Sequence, residues 1–434
     1  MSNFDKIVVI GAGVMGQGIS SHIANSNRKV ILLDLKGKNS PNEISERAID
    51  LIKKSDPPWL VEKSRLDNIQ AGNLEDDFDE IKDADWIIEV VSEIIDIKHN
   101  LFDQIDKIRD PKSIVSSNTS TIPLKVLTEK MSDQMKSDFC ITHFFNPVRF
   151  MRLLEIVETP QMNQSKMKSL RAFCKDELGK GIVDCNDTVG FIANRIGCYG
   201  MQVSLYEALN RGIPVEVADA IVGRPTGYPS TGTFGLFDLI GIDLMKDVFA
   251  SFKRELKEGD PFLDICETHP IVEKLLAKGY NGNKGPGGFY QTTIVDGNEN
   301  VKALNTSDMS YYDFDKVNLE IALRVQKEGM KVLLDDESEY GRYAFAVISK
   351  IINYSAYCVP EVSSKVTSID DALRMGFNWY EGPFEILFSY GLTNYVQRLQ
   401  KENIEVPELF KDMVRLNQEP YDSSSSRAYN HDTG

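Results

Sequence analysis

The chain has 434 residues, of which 42% are hydrophobic, and this supplies enough apolar surface for two or three separate cores. Its 49 basic and 65 acidic side chains leave a net charge of −16, which repels nucleic-acid backbones and anionic lipid unless a local basic cluster exists. The sequence contains no such cluster, no charged leader, and no stretch approaching the roughly 18 continuous apolar residues of a membrane span. We therefore predict a globular, cytoplasmic protein that binds neither nucleic acid nor membrane.

Six cysteines are spread along the chain without any CxxC pair. This wide spacing is typical of reduced, buried thiols rather than of a disulfide framework or a zinc site. The six are Cys140, Cys174, Cys185, Cys198, Cys266 and Cys358. We therefore expect free thiols and no bound metal.

Short β-rich segments alternate with helical patterns in the first part of the chain. The predicted strands are residues 6–10, 29–34, 85–91, 113–118 and 138–144. Such alternation indicates a mostly parallel sheet with helices on its faces. Residues 41–80 have helical spacing around a Ser-Asp-Pro-Pro-Trp break, so we predict a helical insertion there. We assign residues 1–187 to this α/β domain.

The first strand runs directly into a glycine-rich turn, and an amphipathic helix follows it. Gly11, Gly13 and Gly16 occupy a G-x-G-x-x-G pattern, in which glycine allows a tight turn and a close approach of the backbone to a pyrophosphate. The second strand ends at Asp34, whose carboxylate can accept hydrogen bonds from both ribose hydroxyls and repels a 2′-phosphate. The pattern predicts a Rossmann-type domain that prefers NAD to NADP, with the loop residues Gly11, Gly13, Val14, Met15 and Gly16 and the carboxylate of Asp34 at the cofactor.

Strand patterns stop after residues 179–185, and long helical patterns follow from residue 190 onward. Within this helical region, residues 218–242 and residues 370–392 share the same order of Asp, Ala, Gly, Phe and Gly. The matched pairs are Asp219 with Asp371, Ala220 with Ala372, Gly223 with Gly376, Phe234 with Phe384, and Gly241 with Gly391. A duplicated helical unit explains this order better than chance does. We predict an all-α unit at 188–295, a second, repeat-related unit at 296–415, and a disordered polar tail at 416–434.

The chain contains five histidines, and one of them lies at the end of the last predicted strand of the α/β domain. Ligands of such sheets bind at the carboxyl ends of strands, which favours His143 as a general base for oxidation of an alcohol. Glu155 lies in the next extended segment, and a reversal at residues 146–150 could return it alongside His143. A carboxylate there would orient the imidazole and stabilise the imidazolium. The alternative is that His143 is a capped strand-end residue and Glu155 a surface residue.

Six ordered segments carry a resemblance to a known family. They are VIGAGVMGQGIS, WIIEVVSEIIDIK, SSNTST, HFFNPVRFMRLLEIV, DTVGFIANRI and NKGPGGFY, spread over residues 6–290. In this order they identify the chain as a member of the L-3-hydroxyacyl-CoA dehydrogenase family, and it most resembles the dehydrogenase part of multifunctional fatty-acid oxidation proteins. The helical pattern at 340–400 is similar to the family's second C-terminal repeat, so the resemblance extends to about residue 415.

The resemblance implies roles at the matching positions. His143 is implied as the general base, with Glu155 as its partner. Ser120 and Asn194 are implied as substrate-binding and catalytic residues that hydrogen-bond the 3-oxygen and the thioester region. Glu93 and Lys98 are implied near the nicotinamide end of the cofactor, and Asn118 is implied as a further cofactor-binding residue. Local alternatives exist, since Ser120 could cap the helix that begins near Pro123 and Asn194 could pack within its own helix.

The sequence departs from the family in two places. The family usually has two prolines where this chain has Pro147 and Val148, although a turn is still expected. The coenzyme A contacts in the insertion cannot be matched, and Lys53 and Lys54 are only candidates for substrate binding, with surface lysines as the alternative. No hydratase domain is recognisable, so we expect either a standalone form or a fragment of a longer protein. A hydratase or thiolase is a candidate partner in either case.

These features predict NAD-dependent oxidation of (S)-3-hydroxyacyl-CoA to 3-oxoacyl-CoA in fatty-acid β-oxidation. Two helical units in one chain could mimic the dimers that single-unit relatives form, so we expect either a monomer with an internal pseudo-dimer or a homodimer. Two other functions stay open: a dehydrogenase of a free hydroxy acid or sugar acid, and a catalytically idle scaffold subunit of a fatty-acid oxidation complex.

Overall fold

A computed structural model describes residues 4–295, 298–315, 317–422 and 428–433. The chain forms two compact units, residues 1–191 and 192–434, and each is described by itself below. The division falls four residues after the predicted end of the α/β domain. No helix within the described ranges is both long enough and apolar enough to cross a lipid bilayer.

The first unit is built around one eight-stranded sheet. Its strands are β1 (Lys6–Ile10), β2 (Lys29–Asp34), β3 (Ile69–Asn73), β4 (Trp86–Glu89), β5 (Ile114–Ser117), β6 (Phe139–Phe144), β7 (Leu153–Glu158) and β8 (Gly181–Asp184). Its helices are α1 (Val14–Asn25), α2 (Glu43–Lys54), α3 (Ile95–Ile108), α4 (Leu124–Leu127), α5 (Asp133–Ser137) and α6 (Gln164–Ala172). The strand order is β3-β2-β1-β4-β5-β6-β7-β8. All neighbours are parallel except β6 and β7, so the predicted mostly parallel α/β sheet is confirmed.

The strands are apolar because the sheet is covered on both faces. β1 and β4, in the middle of the sheet, are almost completely buried. Trp86 of β4 packs edge-on against Phe4 and Phe173, and it lies 6.2 Å and 6.3 Å from these rings between centroids. This core fixes the central strands, and their carboxyl ends therefore form a rigid edge.

The predicted helical insertion at 41–80 is only partly helical. It contains α2, but its second half includes β3, which pairs in parallel with β2 at the edge of the sheet. The sequence Ile-Gln-Ala-Gly-Asn has two polar residues, a glycine and only one β-branched residue, so its strand pattern is weak. Pairing with the buried neighbour β2, rather than local propensity, makes this segment a strand.

The second unit is mainly helical. Its helices are α7 (Ala193–Arg211), α8 (Val215–Ile221), α9 (Phe234–Ile240), α10 (Ile242–Glu255), α11 (Pro270–Ala277), α12 (Glu320–Glu328), α13 (Lys331–Leu334), α14 (Glu339–Cys358), α15 (Val366–Gly376), α16 (Pro383–Tyr390), α17 (Leu392–Lys401) and α18 (Glu408–Leu416). A small antiparallel sheet in the order β11-β10-β9 is formed by β9 (Tyr290–Val295), β10 (Asn298–Leu304) and β11 (Tyr311–Asp313). The helical character is confirmed, but the prediction that this region is all-α missed the sheet, and the proposed boundary at 295/296 falls inside its first hairpin.

The predicted repeat is visible in two buried aspartates. Asp219 in α8 accepts hydrogen bonds from two backbone amides in the first turn of α9, at 2.8 Å and 2.9 Å. Asp370 in α15 accepts two equivalent bonds from the first turn of α16, both at 3.0 Å. Asp370, and not the predicted Asp371, is therefore the counterpart of Asp219. Phe234 follows Asp219 by 15 positions, whereas Phe384 follows Asp370 by 14, and this difference of one residue shifted the alignment made from sequence alone.

Each of these aspartates also accepts a hydrogen bond from a tyrosine that is distant in the sequence. The Tyr290 hydroxyl donates to Asp219 at 2.9 Å, and the Tyr421 hydroxyl donates to Asp370 at 2.6 Å. Residue Tyr421 lies in the segment predicted to be a disordered tail. This hydrogen bond contradicts the predicted disorder for the described part of the tail. Residues 423–427 and 434 lie outside the described residues. An aromatic hydroxyl with a buried carboxylate partner holds this polar segment against the unit.

Candidate active site

The glycine loop has the geometry that its sequence predicts. Gly11 has a φ of +111°, and its amide donates to the Leu33 carbonyl at 2.8 Å. A Cβ atom on Gly16 would lie 1.8 Å from the Gly11 carbonyl oxygen, so α1 begins tightly against the turn. A Cβ atom on Gly13 would meet nothing within 4 Å. The loop therefore leaves an open space at the N-terminus of α1, where helix amides favour a phosphate.

Val14 and Met15 form the start of α1 directly after this open space. The Val14 side chain is 57% exposed and Met15 is half-buried. Their backbone amides belong to the first turn, whose N–H groups have no partner within the helix. The placement fits the predicted contact of this turn with a dinucleotide.

Asp34 lies at the end of β2 and faces the glycine loop. Its carboxylate accepts hydrogen bonds from the Ala12 amide at 2.5 Å and the Leu35 amide at 2.6 Å. Lys36, the nearest cation in sequence, pairs instead with Asp76 at 3.0 Å and Glu75 at 3.5 Å. The negative charge at the end of β2 is therefore not offset by Lys36, and the residues present fit NAD better than NADP.

A buried ion pair shapes the end of β4. Lys98 is 1% exposed, and its ammonium lies 2.6 Å from the Glu89 carboxylate, which is fully buried. Glu89 also accepts hydrogen bonds from the Ser117 hydroxyl and the Val91 amide. Burial raises the pKa of Glu89, and the Lys98 charge and these donors oppose that shift. Glu89 was missed at the sequence level, although a lone carboxylate in the apolar stretch WIIEVV was the signal for it.

Glu93 lies at the exposed side of the same cluster. Its carboxylate is 3.4 Å from the Lys98 ammonium and accepts a hydrogen bond from the Thr119 hydroxyl at 2.5 Å. Of the two residues predicted near the nicotinamide, Glu93 is accessible, whereas Lys98 is enclosed. This placement favours a role of Lys98 in holding the loop after β4 in position.

His143 and Glu155 face each other on the antiparallel neighbours β6 and β7. The His143 Nδ1 atom lies 2.8 Å from the Glu155 Oε2 atom, and the Glu155 side chain is fully buried. The rings of Phe145 and Phe191 flank the imidazole at 4.5 Å and 5.6 Å between centroids. The predicted contact between these two residues is therefore present, and the alternative of a surface glutamate is wrong. Nε2 remains the ring nitrogen that can exchange a proton with a ligand.

Lys180 fixes the turn that brings β7 back alongside β6. It is 3% exposed, and its ammonium donates to the carbonyls of Val148 and Met151. Burial lowers the pKa of Lys180 to about 8. A Cβ atom on Gly18 would lie 2.7 Å from the Val148 side chain, so α1 packs closely on this turn. Lys180 was missed at the sequence level, because nothing local indicates which carbonyls a lysine will reach.

The loop after β5 carries Asn118 and Ser120. The Asn118 side-chain oxygen accepts a hydrogen bond from the Phe144 amide at 2.9 Å, next to His143. Asp187 accepts the first two amides of α4 at 2.7 Å and 3.2 Å, so this carboxylate, rather than Ser120, caps the helix. The Ser120 backbone carbonyl accepts from the Gly190 amide at 3.3 Å. Its side chain is thus available for a ligand.

The other histidines have structural partners. His22 bonds through Nε2 to the Leu178 carbonyl at 2.9 Å, and burial lowers its pKa to about 3. His99 bonds to the Val126 carbonyl at 2.8 Å. In the second unit, His269 caps α11 and the His431 amide donates to Ser364. These contacts leave His143 as the candidate base.

The remaining predicted substrate residues are Lys53 and Lys54 of the first unit and Asn194 of the second. Lys53 and Lys54 are exposed in the last turn of α2. Asn194 lies in the first turn of α7, where it is half-buried while Ala193, Arg195 and Ile196 are buried. Its amide therefore stays accessible at the start of a buried helix, which differs from the alternative that it packs within the helix.

Two family profiles match the chain. The profile of 3-hydroxyacyl-CoA dehydrogenase, NAD binding domain, covers residues 6–188, and that of 3-hydroxyacyl-CoA dehydrogenase, C-terminal domain, covers residues 190–292. The first unit is thus an NAD-binding domain of this kind. The second profile ends before the second repeat.

Known proteins agree with these profiles. The chain is 37% identical over 425 residues to the putative fatty acid oxidation complex trifunctional enzyme of Rickettsia felis, covering 96% of this chain but only 58% of that protein. It is 34% identical to the probable 3-hydroxyacyl-CoA dehydrogenase of Deinococcus radiodurans, covering 66% of this chain and 83% of that protein. A solved structure of 3-hydroxybutyryl-CoA dehydrogenase from Escherichia coli K12 shares the fold, with a TM-score of 0.71, 21% identity, and coverage of 96% and 99% of the two chains. The chain belongs to the 3-hydroxyacyl-CoA dehydrogenase family.

Proposed function

We propose that this chain is an NAD-dependent dehydrogenase that oxidises (S)-3-hydroxyacyl-CoA to 3-oxoacyl-CoA in fatty-acid β-oxidation. The observation that carries the proposal is the buried His143–Glu155 pair on the same sheet whose first strand leads into a dinucleotide-binding loop, in a chain of this family. The chain spans only 58% of the length of its Rickettsia relative, so the activity of the whole protein is stated as a proposal.

The chemistry follows from the geometry of the imidazole. Bound NAD supplies the acceptor for the hydride that leaves C3 of the substrate. The proton of the 3-hydroxyl must leave in the same reaction, and Nε2 of His143 takes it. Glu155 holds Nδ1 as the protonated nitrogen and stabilises the imidazolium that forms. The hydroxyl oxygen thereby becomes the carbonyl oxygen of the product.

We also propose roles for the remaining site residues. Ser120 and Asn194 donate hydrogen bonds to the substrate. Asn118 and Glu93 contact the cofactor, and Lys98 supports them from its ion pair with Glu89. The glycine loop binds the pyrophosphate.

The coenzyme A part of the substrate carries phosphates and needs cations. Lys53 and Lys54 are proposed as these contacts, since both are exposed and neighbours in one helical turn. Their positive charges would attract the phosphates of the nucleotide.

We also propose a monomer in which the two helical repeats take the place of two subunits. In the second unit, the ring of Tyr228 stacks on Trp379 at 4.2 Å between centroids, so equivalent loops of the two repeats pack together. A cytoplasmic location and a hydratase or thiolase partner complete the proposal. The name of the Rickettsia relative, a trifunctional enzyme, supports such a partner. A dimeric mass by light scattering would contradict the monomer.

The test is oxidation of NADH with acetoacetyl-CoA by wild type and by His143→Ala. General-base catalysis is typically worth about 10²- to 10⁴-fold, so the variant should lose that much of kcat while NADH affinity is unchanged. His269→Asn is a matched control, because this histidine caps α11 and an asparagine can do the same. Free acetoacetate is the parallel substrate.

Each outcome of this test supports a different one of the three candidate functions. Turnover of the thioester that collapses only in His143→Ala supports the proposal. Preference for free acetoacetate indicates a hydroxy-acid dehydrogenase. NADH binding without any turnover indicates a scaffold subunit.

A further inference from the structure

Arg195, the residue that follows Asn194, is almost completely buried. Its side chain is 1% exposed in the first turn of α7. The guanidinium donates from Nη2 to the Asp260 carboxylate and from Nε to the hydroxyl of Tyr354. Desolvation of a buried cation is unfavourable and has to be offset by well-placed acceptors, so the position of this side chain in the fold is tightly constrained.

Tyr354 and Asp260 are also bound to each other. The Tyr354 hydroxyl donates to the Asp260 Oδ1 atom at 3.1 Å, and the same oxygen accepts from the Phe262 amide at 2.9 Å. The Tyr354 ring stacks on Tyr199, one turn further along α7, at 3.9 Å between centroids. Arg195, Asp260 and Tyr354 are thus hydrogen-bonded to one another, and we call them the Arg195 cluster. Glu361 lies at its edge, 3.4 Å from the same guanidinium nitrogen.

The Arg195 cluster joins the two repeats of the helical unit. Asp260 and Arg195 belong to the first repeat, whereas Tyr354 lies on α14, the long helix of the second. α7 and α14 approach closely, since a Cβ atom on Gly200 would lie 3.1 Å from the Ile351 side chain. The part of the chain beyond the second family profile therefore contributes a side chain to the turn that carries Asn194.

We propose that the Arg195 cluster is a positioning device for Asn194, and that Tyr354 makes the second repeat necessary for the substrate-binding function of the first. The inference rests on the proposed function, because it assigns Asn194 to the substrate. Asn194 is half-buried and directly precedes Arg195, whose side chain the cluster holds, so the direction of the Asn194 amide depends on the backbone turn that Arg195 fixes. A displacement of about 1 Å in a residue that orients substrate can cost as much as about 100-fold in rate.

Tyr343 provides a matched control on the same pair of helices. It is a fully buried tyrosine of α14, and its hydroxyl bonds to the Ser204 hydroxyl of α7 at 2.8 Å. Ser204 lies ten residues after Asn194, which is about 15 Å along the helix. Tyr343→Phe removes a similar contact between the same helices without touching the first turn.

The experiment compares Tyr354→Phe with Tyr343→Phe in the full chain. Both should lower the thermal midpoint by a similar amount, but only Tyr354→Phe should lower kcat/KM for acetoacetyl-CoA, by about 10-fold, with NADH affinity unchanged. In the Asn194→Ala background, Tyr354→Phe should cause no further loss, since its effect passes through Asn194. If Tyr354→Phe does not fold, Asp260→Asn replaces it in the same comparison.

The inference would be overturned by wild-type kcat/KM in Tyr354→Phe, by an equal loss in Tyr343→Phe, or by an undiminished loss in the Asn194→Ala background. A fully active Asn194→Ala variant also overturns it, because nothing is then left to position. If the wild type binds acetoacetyl-CoA but turns nothing over, the proposed function fails separately. In that case the affinity for acetoacetyl-CoA is compared between wild type and Tyr354→Phe. An unchanged affinity in Tyr354→Phe rejects the positioning role of the Arg195 cluster.

Discussion

Glu155 lies directly opposite His143 in the register of two antiparallel strands, and its carboxylate oxygen is 2.8 Å from the Nδ1 atom of the imidazole. The pair is embedded in the sheet, so the orientation of the imidazole is set by the backbone as well as by the hydrogen bond. A base held in this way does not need to reorganise when it takes up a proton.

Glu155→Gln should therefore reduce kcat by about 10²-fold or more. The amide can still accept from Nδ1–H, but it cannot stabilise the imidazolium with a negative charge. The double variant with His143→Ala should be no slower than His143→Ala alone, because residues that act as a unit are not additive. Independent, multiplying losses in steady-state kinetics would show that Glu155 acts elsewhere.

Two glycines of the loop should respond differently to alanine. Gly16→Ala places a Cβ atom against the Gly11 carbonyl and should lower the free energy of unfolding by about 2 kcal/mol. Gly13→Ala meets nothing in the protein, and the backbone there has an ordinary negative φ. Its stability should match wild type, while its NADH affinity falls because the methyl group occupies the space for the pyrophosphate. Urea unfolding and fluorescence titration with NADH separate the two effects, and normal NADH affinity in Gly13→Ala would contradict this location of the cofactor.

Cofactor preference should depend on Asp34 and not on Lys36. Asp34→Ser removes the charge that repels a 2′-phosphate, so the ratio of kcat/KM for NADPH to that for NADH should rise by about 10-fold, the equivalent of about 1.4 kcal/mol. Lys36→Ala is the control, since this lysine is already paired with Asp76. A rise of equal size in Lys36→Ala would show that the local charge balance, rather than Asp34, sets the preference.

The buried aspartates predict how stability depends on pH. Burial raises the pKa of Asp219 to about 7, so between about pH 4 and pH 7 the folded state binds more protons than the unfolded state. The free energy of unfolding should therefore fall as the pH rises through this window, by up to about 4 kcal/mol from this group. Asp219→Asn should flatten the dependence measured by urea unfolding, whereas Asp247→Asn, an exposed aspartate on α10, should leave it unchanged. Identical slopes in wild type and Asp219→Asn would contradict the assignment.

Asp370 should behave in the same way as its counterpart. Burial raises its pKa to about 8, so its contribution to the fall in stability extends about one pH unit higher than that of Asp219. This similarity was not evident from the sequence, where Asp371 was the better match.

The sequence by itself determined the features that depend on local pattern. Apolar runs predicted the strands β1, β2, β4, β5 and β6, and the glycine spacing predicted the turn before α1. His143 and Glu155 could be selected because the end of a strand and the next extended run have recognisable local compositions. The helical repeat was also visible, although its register was wrong by one residue at Asp370.

Only the tertiary structure decided which distant groups meet. The strand β3 forms because β2 offers it an edge, Lys180 reaches two carbonyls across a turn, and Tyr354 reaches Arg195 from another repeat. None of these contacts follows from periodicity, because they join residues about 30 to 160 positions apart and depend on how helices and strands pack. Local sequence specifies the elements and the reactive side chains, while long-range packing and the exclusion of water specify which of those side chains are held in a fixed geometry.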